Sequence, residues 1–321
     1  MDKSSPWLVG VVLCEEHSLA SFALVMDIFR MANHQPGGPF FDVKRISETG
    51  QPVAHADGLL RVDGDASQLA GMDAVIVPSL WGMGPQAVAA RGLLVKALAD
   101  LPEQVLTAGL CSGVYLLAAA GRLDQRVATT HWFMADGLAR RYPKVRVQAE
   151  HNLTHDGSVV CSGGSLAAID GCLHVVQCLA GRSLARSLSR MLVTDLSRGP
   201  QTQFMPMPGW RRHSDKEVRQ LQDWIEQHHA QPMTLAALAA QVHLGVRTLQ
   251  RRFQAATGMT PQQYQQSVRL EHSKDWLEGS RISVDDVATR VGYQDRVAFG
   301  RLFKRHTGLT PAAYRQRSVR V

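Results

Sequence analysis

Two groups of residues in this chain have types and spacings that can do chemistry. The first is Gly109-Leu110-Cys111-Ser112-Gly113, a G-x-C-x-G run. It follows an apolar, strand-like stretch and opens a helical pattern, which is the context of a nucleophile elbow with Cys in place of Ser. Small neighbours permit a strained turn there, and a helix start favours a thiolate and holds an anion. Nucleophilic catalysis also needs a base within reach. His131, which follows a strand-like run at 127–130, is the candidate. The competing reading is a buried Cys packed under a helix start, with His131 satisfied by a backbone group. The residue pattern leaves the two readings even.

The second group lies in the last third of the chain, in an internal repeat. At an offset of 50, Arg251 meets Arg301, Phe253 meets Phe303, Thr257-Gly258 meets Thr307-Gly308, Thr260-Pro261 meets Thr310-Pro311 and Tyr264 meets Tyr314. Upstream the offset is 49, with Ala239 on Ala288 and Val242 on Val291. Each copy has the pattern of a short helix, a tight turn near Gly245 or Gly292, and a second helix. That is a helix-turn-helix unit, whose second helix can enter the major groove. With Leu249 and Phe253 inward, Arg247, Gln250 and Arg251 face out. In the second copy Arg296, Val297, Gly300 and Arg301 face out. Arg can bond guanine and Gln adenine in bidentate fashion, while Lys304 and Arg305 suit phosphates. A single exposed Arg is ordinarily a solvated charge; recurrence at matched positions favours DNA contact.

Charge follows the same division. Net charge is +7, but residues 1–213 hold 19 Lys and Arg against 18 Asp and Glu, whereas residues 214–321 hold 16 against 10. A basic, separable module suggests a polyanion partner. The 321 residues, 45% hydrophobic and 20% charged, suit two domains with real cores and exclude disorder as the main architecture. No apolar run approaches the ~18 residues needed to span a bilayer, and the N-terminus lacks an export-signal pattern. The five cysteines are odd in number with no CxxC, which fits a reducing cytoplasm rather than a disulfide scaffold. The 13 histidines show no metal-binding motif, so neither metal nor cofactor is expected.

These groups need elements to hold them. Strand-like runs at 7–13, 41–46, 74–78, 104–108, 127–130, 145–148 and 159–161 alternate with helical patterns at 18–33, 85–100, 112–121, 132–142 and 165–180. Such alternation predicts an α/β domain, a mostly parallel sheet with helices on both faces. Residues 197–213, with three prolines, two glycines and no period, are a linker that could dock through Phe204 or Trp210. The expected organisation is a sensor domain over 1–196, the linker, and an all-α module over 214–321 with helix-turn-helix units at about 234–254 and 283–305.

Residues 216–317 resemble the AraC/XylS family DNA-binding domain, most closely through GYQDRVAFGRLFKRHTGLTPAAYR. The resemblance implies seven helices, two units joined by a long helix near 261–278, and two successive major-groove segments read per monomer. By position it makes Arg247 and Arg251, then Arg296 and Arg301, the base readers. Residues 7–180 resemble the PfpI-type branch of the class I glutamine amidotransferase-like superfamily, which has a flavodoxin-like fold. The match rests on the Cys111 elbow, Val127-Ala-Thr-Thr-His131-Trp132 and Val25-Met-Asp-Ile-Phe-Arg-Met-Ala-Asn33. The domain order resembles the GlxA-like regulators, which include sensors of arginine, glycine betaine and carnitine.

Two departures from that pattern argue against catalysis. The acid that meets the Cys in the superfamily falls at Ser21, and its Pro-Gly-Gly oxyanion turn is Pro78-Ser-Leu-Trp-Gly82. Ser21, Trp81, Gly82, Cys111, Ser112, His131 and Trp132 are therefore expected to line an effector pocket at the carboxyl ends of the strands, with Cys111 and His131 the catalytic pair if there is one. The expectation is a non-enzymatic activator that binds double-stranded promoter DNA and senses a small nitrogen-containing metabolite such as an amino acid or betaine. It contacts RNA polymerase, dimerises through the N-terminal domain and works in the bacterial cytoplasm at the nucleoid. The alternatives are a cysteine amidase or hydrolase fused to a DNA-binding module, marked by Cys111-dependent turnover, and a thiol redox sensor, marked by peroxide-sensitive DNA binding.

Overall fold

In the computed structural model, residues 5–55, 58–81, 88–196, 198, 199, 201, 213 and 215–318 are described. The chain divides into two compact units, Met1–Thr202 and Gln203–Val321. Phe204, Trp210 and most of 197–213 lie outside the described residues.

The first unit is built on a seven-stranded sheet in the order β10-β11-β7-β6-β1-β2-β5. Its strands are β1 (Trp7–Leu13), β2 (Phe41–Ser47), β5 (Gly64–Asp65), β6 (Ala74–Val77), β7 (Leu106–Leu110), β10 (Leu153–Asp156) and β11 (Val159–Ser162). All pairings are parallel except β10 on β11. The central order β2-β1-β6-β7-β11 is the doubly wound, flavodoxin-like arrangement. β6, β7 and β11 are buried along their whole length, as strands covered on both faces must be. Alternate residues serve opposite faces: Val75 and Val77 join one core with Leu94 and Leu116, while Ala74 and Ile76 join the other with Val25, Phe29 and Val175.

The flanking helices are α1 (Leu19–Asn33), α2 (Gly92–Ala99), α3 (Val114–Ala119), α4 (Trp132–Arg141), α5 (Ala168–Ala180) and α6 (Arg182–Met191). Several boundaries differ from the sequence reading. β7 begins two residues later than the pattern suggested and runs straight into the elbow. The helix after it opens as a tight 3-10 turn, Cys111–Gly113. β8 (Val127–Ala128) and β9 (Arg146–Val147) pair with each other outside the main sheet. The hairpin β3–β4 (Val53–His55, Gly58–Leu60), the antiparallel β10 and α6 were not anticipated.

The second unit is all helical among the described residues: α7 (Lys216–Gln227), α8 (Leu235–Gln241), α9 (Val246–Thr257), α10 (Pro261–Gly279), α11 (Val284–Arg290), α12 (Arg296–Thr307) and α13 (Pro311–Ser318). Its core is double. Leu238, Leu249, Phe253, Tyr264 and Val268 form one cluster, and Leu277, Val287, Phe299, Phe303 and Tyr314 the other. The long α10 contributes to both. The repeat explains its own spacing. Gly258 and Gly308 end the second helix of each copy in the left-handed conformation. Thr260 then caps α10 with Pro261 at its first position. Tyr264 and Tyr314 donate to Glu226 and Glu278 at 2.7 and 2.6 Å. No helix of the described residues is long and apolar enough to cross a membrane.

Candidate functional site

Cys111 sits where β7 ends, with φ of +53°. A non-glycine residue there is strained, and strain of this kind is characteristic of a nucleophile elbow. Of the two glycines of the motif, Gly113 is sterically required and Gly109 is tightly packed. A Cβ on Gly113 would stand 2.4 Å from the Val77 carbonyl oxygen, and one on Gly109 would press at 3.0 Å on Val114 and Leu117. The elbow thus has the backbone of a nucleophile site, with the thiol itself buried.

The turn facing it is fully committed. Ser79 N–H donates to Ser21 Oγ (3.0 Å), Leu80 N–H to Ser112 Oγ (2.7 Å), and Trp81 N–H to the Glu16 carbonyl (2.5 Å). Ser112 Oγ returns a bond to the Leu80 carbonyl and also meets Ser79 Oγ. An oxyanion hole needs backbone donors that are free to meet a developing charge; these three are not. Ser21 and Ser112, both buried, are struts of this turn. Ser21 does not cap the helix behind it either; that role belongs to Ser18, whose side chain accepts from Ser21 N–H. Trp81 does not close over a cavity: it is 68% exposed. Gly82 lies outside the described residues.

His131 and Trp132 follow the same logic. Thr130 Oγ1 donates to the Cys111 carbonyl (2.8 Å), which ties the loop before α4 to the elbow. His131 is the N-cap of α4, its Nδ1 accepting from Phe133 N–H at 3.2 Å. That bond uses the lone pair and leaves the proton of the neutral ring on Nε2. Burial pushes the imidazole pKa down, in keeping with the neutral form. His131 therefore lacks a free basic nitrogen while the cap is intact. The Trp132 amide is taken by Gln201 Oε1 at 3.2 Å, a partner that the sequence reading missed because a lone Gln in a Pro- and Gly-rich stretch carries no signal.

One cluster could hold a metal. His155 on β10 with His174 and Cys178, one turn apart on α5, places donor atoms within 4.8 Å of one another. His155 Nδ1 lies 2.9 Å from His174 Nε2, and its other nitrogen meets the Gly157 carbonyl. A His2Cys set suits a borderline cation such as zinc. Linear spacing could not show it, because one ligand comes from a different element. All five cysteines are free; burial raises Cys14 and Cys161 to about 12.

In the second unit, α9 and α12 present the residues singled out as DNA contacts. Arg247, Gln250, Arg251, Arg301, Lys304 and Arg305 are all exposed. None of them has an ion pair or hydrogen bond to another described residue. Of the three identities inside the two helices, Phe253/Phe303 and Thr257/Thr307 are buried and only Arg251/Arg301 faces solvent in both copies. Arg296 differs, since it pairs with Asp285 at 2.8 Å. That pair is exposed and contributes little. Arg252, next to Arg251, has the opposite fate. It makes two bonds to Asp215 (2.8 and 2.7 Å) and one to Glu217 (2.5 Å), which ties α9 to α7. The turns also match: His243 and Gly292, 49 apart, are both left-handed, at +51° and +88°.

Residues 238–317 match the family model described as "Helix-turn-helix domain". Two curated relatives run nearly the whole length. The HTH-type transcriptional regulator GbdR of Pseudomonas aeruginosa is 26% identical over 97% of this chain and 85% of its own. The HTH-type transcriptional regulator GlxA of Rhizobium meliloti is 25% identical over 97% and 96%. The first unit superposes on Drosophila melanogaster DJ-1beta with a TM-score of 0.51 at 20% identity, covering 60% of this chain and all of that one, which shows a shared fold. The protein is a DNA-binding transcription regulator. Within that class it joins a domain with the fold of DJ-1beta to a helix-turn-helix domain.

Proposed function

We propose that this regulator reads double-stranded promoter DNA through α9 and α12 and is controlled by a small nitrogen-containing metabolite that the first unit recognises without chemical turnover. The observation that carries the reading is the contrast in commitment. The elbow keeps the strained Cys111 backbone, yet the three facing amides and the His131 base are already bonded, which favours recognition over hydrolysis. On the recognition helices Arg247, Arg251, Arg301, Lys304 and Arg305 have no side-chain partner among the described residues, which favours a polyanion. Arg247, Arg251, Arg296 and Arg301 are assigned to bases, with Gln250 beside them, and Lys304 and Arg305 to phosphates. The ligand region is assigned to Cys111, His131 and Trp132, with Ser21 and Ser112 shaping it from behind and Trp81 at its rim; Gly82, outside the described residues, keeps its assignment from the sequence. The protein acts as a homodimer through the first unit, with RNA polymerase as its partner, at the nucleoid in the cytoplasm.

The test is thermal unfolding of the full chain against amino acids, betaines, carnitine-like compounds and polyamines. A true effector at ~100 times its Kd stabilises by about 2.7 kcal/mol, and Cys111→Ala reduces that response. A stable protein that answers to no compound, or a Cys111-dependent hydrolysis of one of them, contradicts the reading.

A further inference from the structure

Gln201 lies in the stretch that follows the α/β domain in sequence, yet it is 3% exposed. Burying a carboxamide is unfavourable unless its polar atoms are bonded, and here all of them are. Oε1 accepts from Trp132 N–H at the start of α4 (3.2 Å). Nε2 faces Thr129 Oγ1 (3.2 Å), the Thr130 carbonyl (2.8 Å) and the His151 carbonyl (3.0 Å). These partners fix which end is oxygen and which is nitrogen. The backbone is held too, with Gln201 N–H on the Glu150 carbonyl at 3.1 Å. Three residues earlier Arg198 clamps onto buried Asp170, with bonds of 3.1, 3.0 and 2.5 Å. Gly163 leaves the room: a Cβ there would meet Gln201 Oε1 at 2.9 Å. The cradle adjoins the elbow, because Thr130 serves both Gln201 and the Cys111 carbonyl.

The fit is imperfect in an informative way. A carboxamide has two N–H donors, and the cradle presents three acceptors. A primary ammonium has three. The oxygen end is a helix N-terminus, which favours an anion. We propose that this cradle is the effector-recognition site, that Gln201 occupies it as an internal surrogate, and that the ligand is the head group of an α-amino acid or a primary carboxamide. This rests on the sensing function proposed above and narrows it. A quaternary ammonium has no N–H and would leave the cradle's acceptors only the Thr129 hydroxyl as a donor, so betaines are rejected. Ligand entry displaces Gln201 from the cradle. While Gln201 is seated, it lowers the apparent affinity by the fraction of cradles it fills.

The test uses the full-length protein, Gln201→Ala, and Gln201→Met, which keeps most of the volume and none of the bonds. Each is titrated calorimetrically with L-glutamine, glycine, glycinamide, acetamide and glycine betaine. Hydrogen exchange is followed at the Gln201 amide. The expected result is that an amino acid or an amide binds both variants about tenfold more tightly than it binds the wild type, and that saturating wild type with it raises exchange at Gln201. Amino acid and acetamide arms separate the two head groups. Betaine is bound at least ~100-fold more weakly. Equal affinity in wild type and variants, unchanged exchange at saturation, or binding of betaine alone overturns the proposal. Binding that Cys111→Ala abolishes and both Gln201 variants leave unchanged would overturn the cradle while sensing itself stands. Binding of no probe to any of the three folded proteins would overturn the ligand class.

Discussion

The elbow and the recognition helices sit at opposite extremes of hydrogen-bond economy. Around Cys111, the amides of Ser79, Leu80 and Trp81, the hydroxyls of Ser21 and Ser112 and the ring of His131 all have internal partners. On α9 and α12, Arg247, Arg251, Arg301, Lys304 and Arg305 have none among the described residues. A saturated site is rigid and does not rearrange to stabilise developing charge. An unsaturated row of guanidinium and ammonium groups keeps its donors for a partner. The bonded elbow and the open basic helices thus divide the chain into a region committed to itself and one open to a partner.

The comparison can be broken at several points, and the largest effect is expected at Gly113. Gly113→Ala drives a Cβ into the Val77 and Pro78 carbonyls and should destabilise the first unit by ~3 kcal/mol or more, measured by urea unfolding. A loss under ~1 kcal/mol would mean the elbow is not held as tightly as described. Arg251→Ala and Arg301→Ala should each cost ~1–3 kcal/mol on a specific site, with unfolding midpoints unchanged because neither side chain has a partner among the described residues. Ser112→Ala leaves the Leu80 amide unpaired and should cost ~1–3 kcal/mol of stability without changing DNA affinity. Asp215 gives the smallest effect. It caps α7 and pairs with Arg252, so Asp215→Ala should cost ~1 kcal/mol from the cap alone.

Asp215 also predicts a direction with pH. The Arg252 hydrogen bond holds its carboxyl below the usual carboxylate range. A depressed carboxyl contributes stability that is present above its unfolded value, 3.8, and is lost as pH falls through the lower folded value. The second unit should therefore lose stability below about pH 4, and Asp215→Asn should flatten that part of the curve.

Much of this was legible in the residues. The G-x-C-x-G run located the elbow because only glycine fits at 113 and a small residue is needed at 109. The doubly wound sheet followed from apolar runs such as 74–77, which a parallel strand buried on both faces requires. The offset-50 repeat located both recognition helices because its invariant members are cores and caps. What stayed hidden depends on long-range partners. Nothing local says that Ser112 will serve Leu80, 32 residues away, or that Ser21 will serve Ser79. Arg251 and Arg252 are the same residue type side by side, and only the position of Asp215 separates the exposed side chain from the strut. Gln201 and the His155–His174–Cys178 cluster are assembled from different elements and leave no pattern along the chain. The first-copy turn does have Gly245 as a cap, but its left-handed residue is His243, where the second copy has Gly292.

The most direct test of the account is to recover, from a random double-stranded library, the sequences bound by the full-length protein and by Arg251→Ala and Arg301→Ala. The account predicts that the wild type selects two short elements about one helical turn, ~10.5 base pairs, apart. Each variant should then lose preference in one element and keep it in the other. Recovery of the same two-element sequence by all three proteins, only more weakly by the variants, would make these arginines phosphate contacts and contradict the assignment of base reading to α9 and α12.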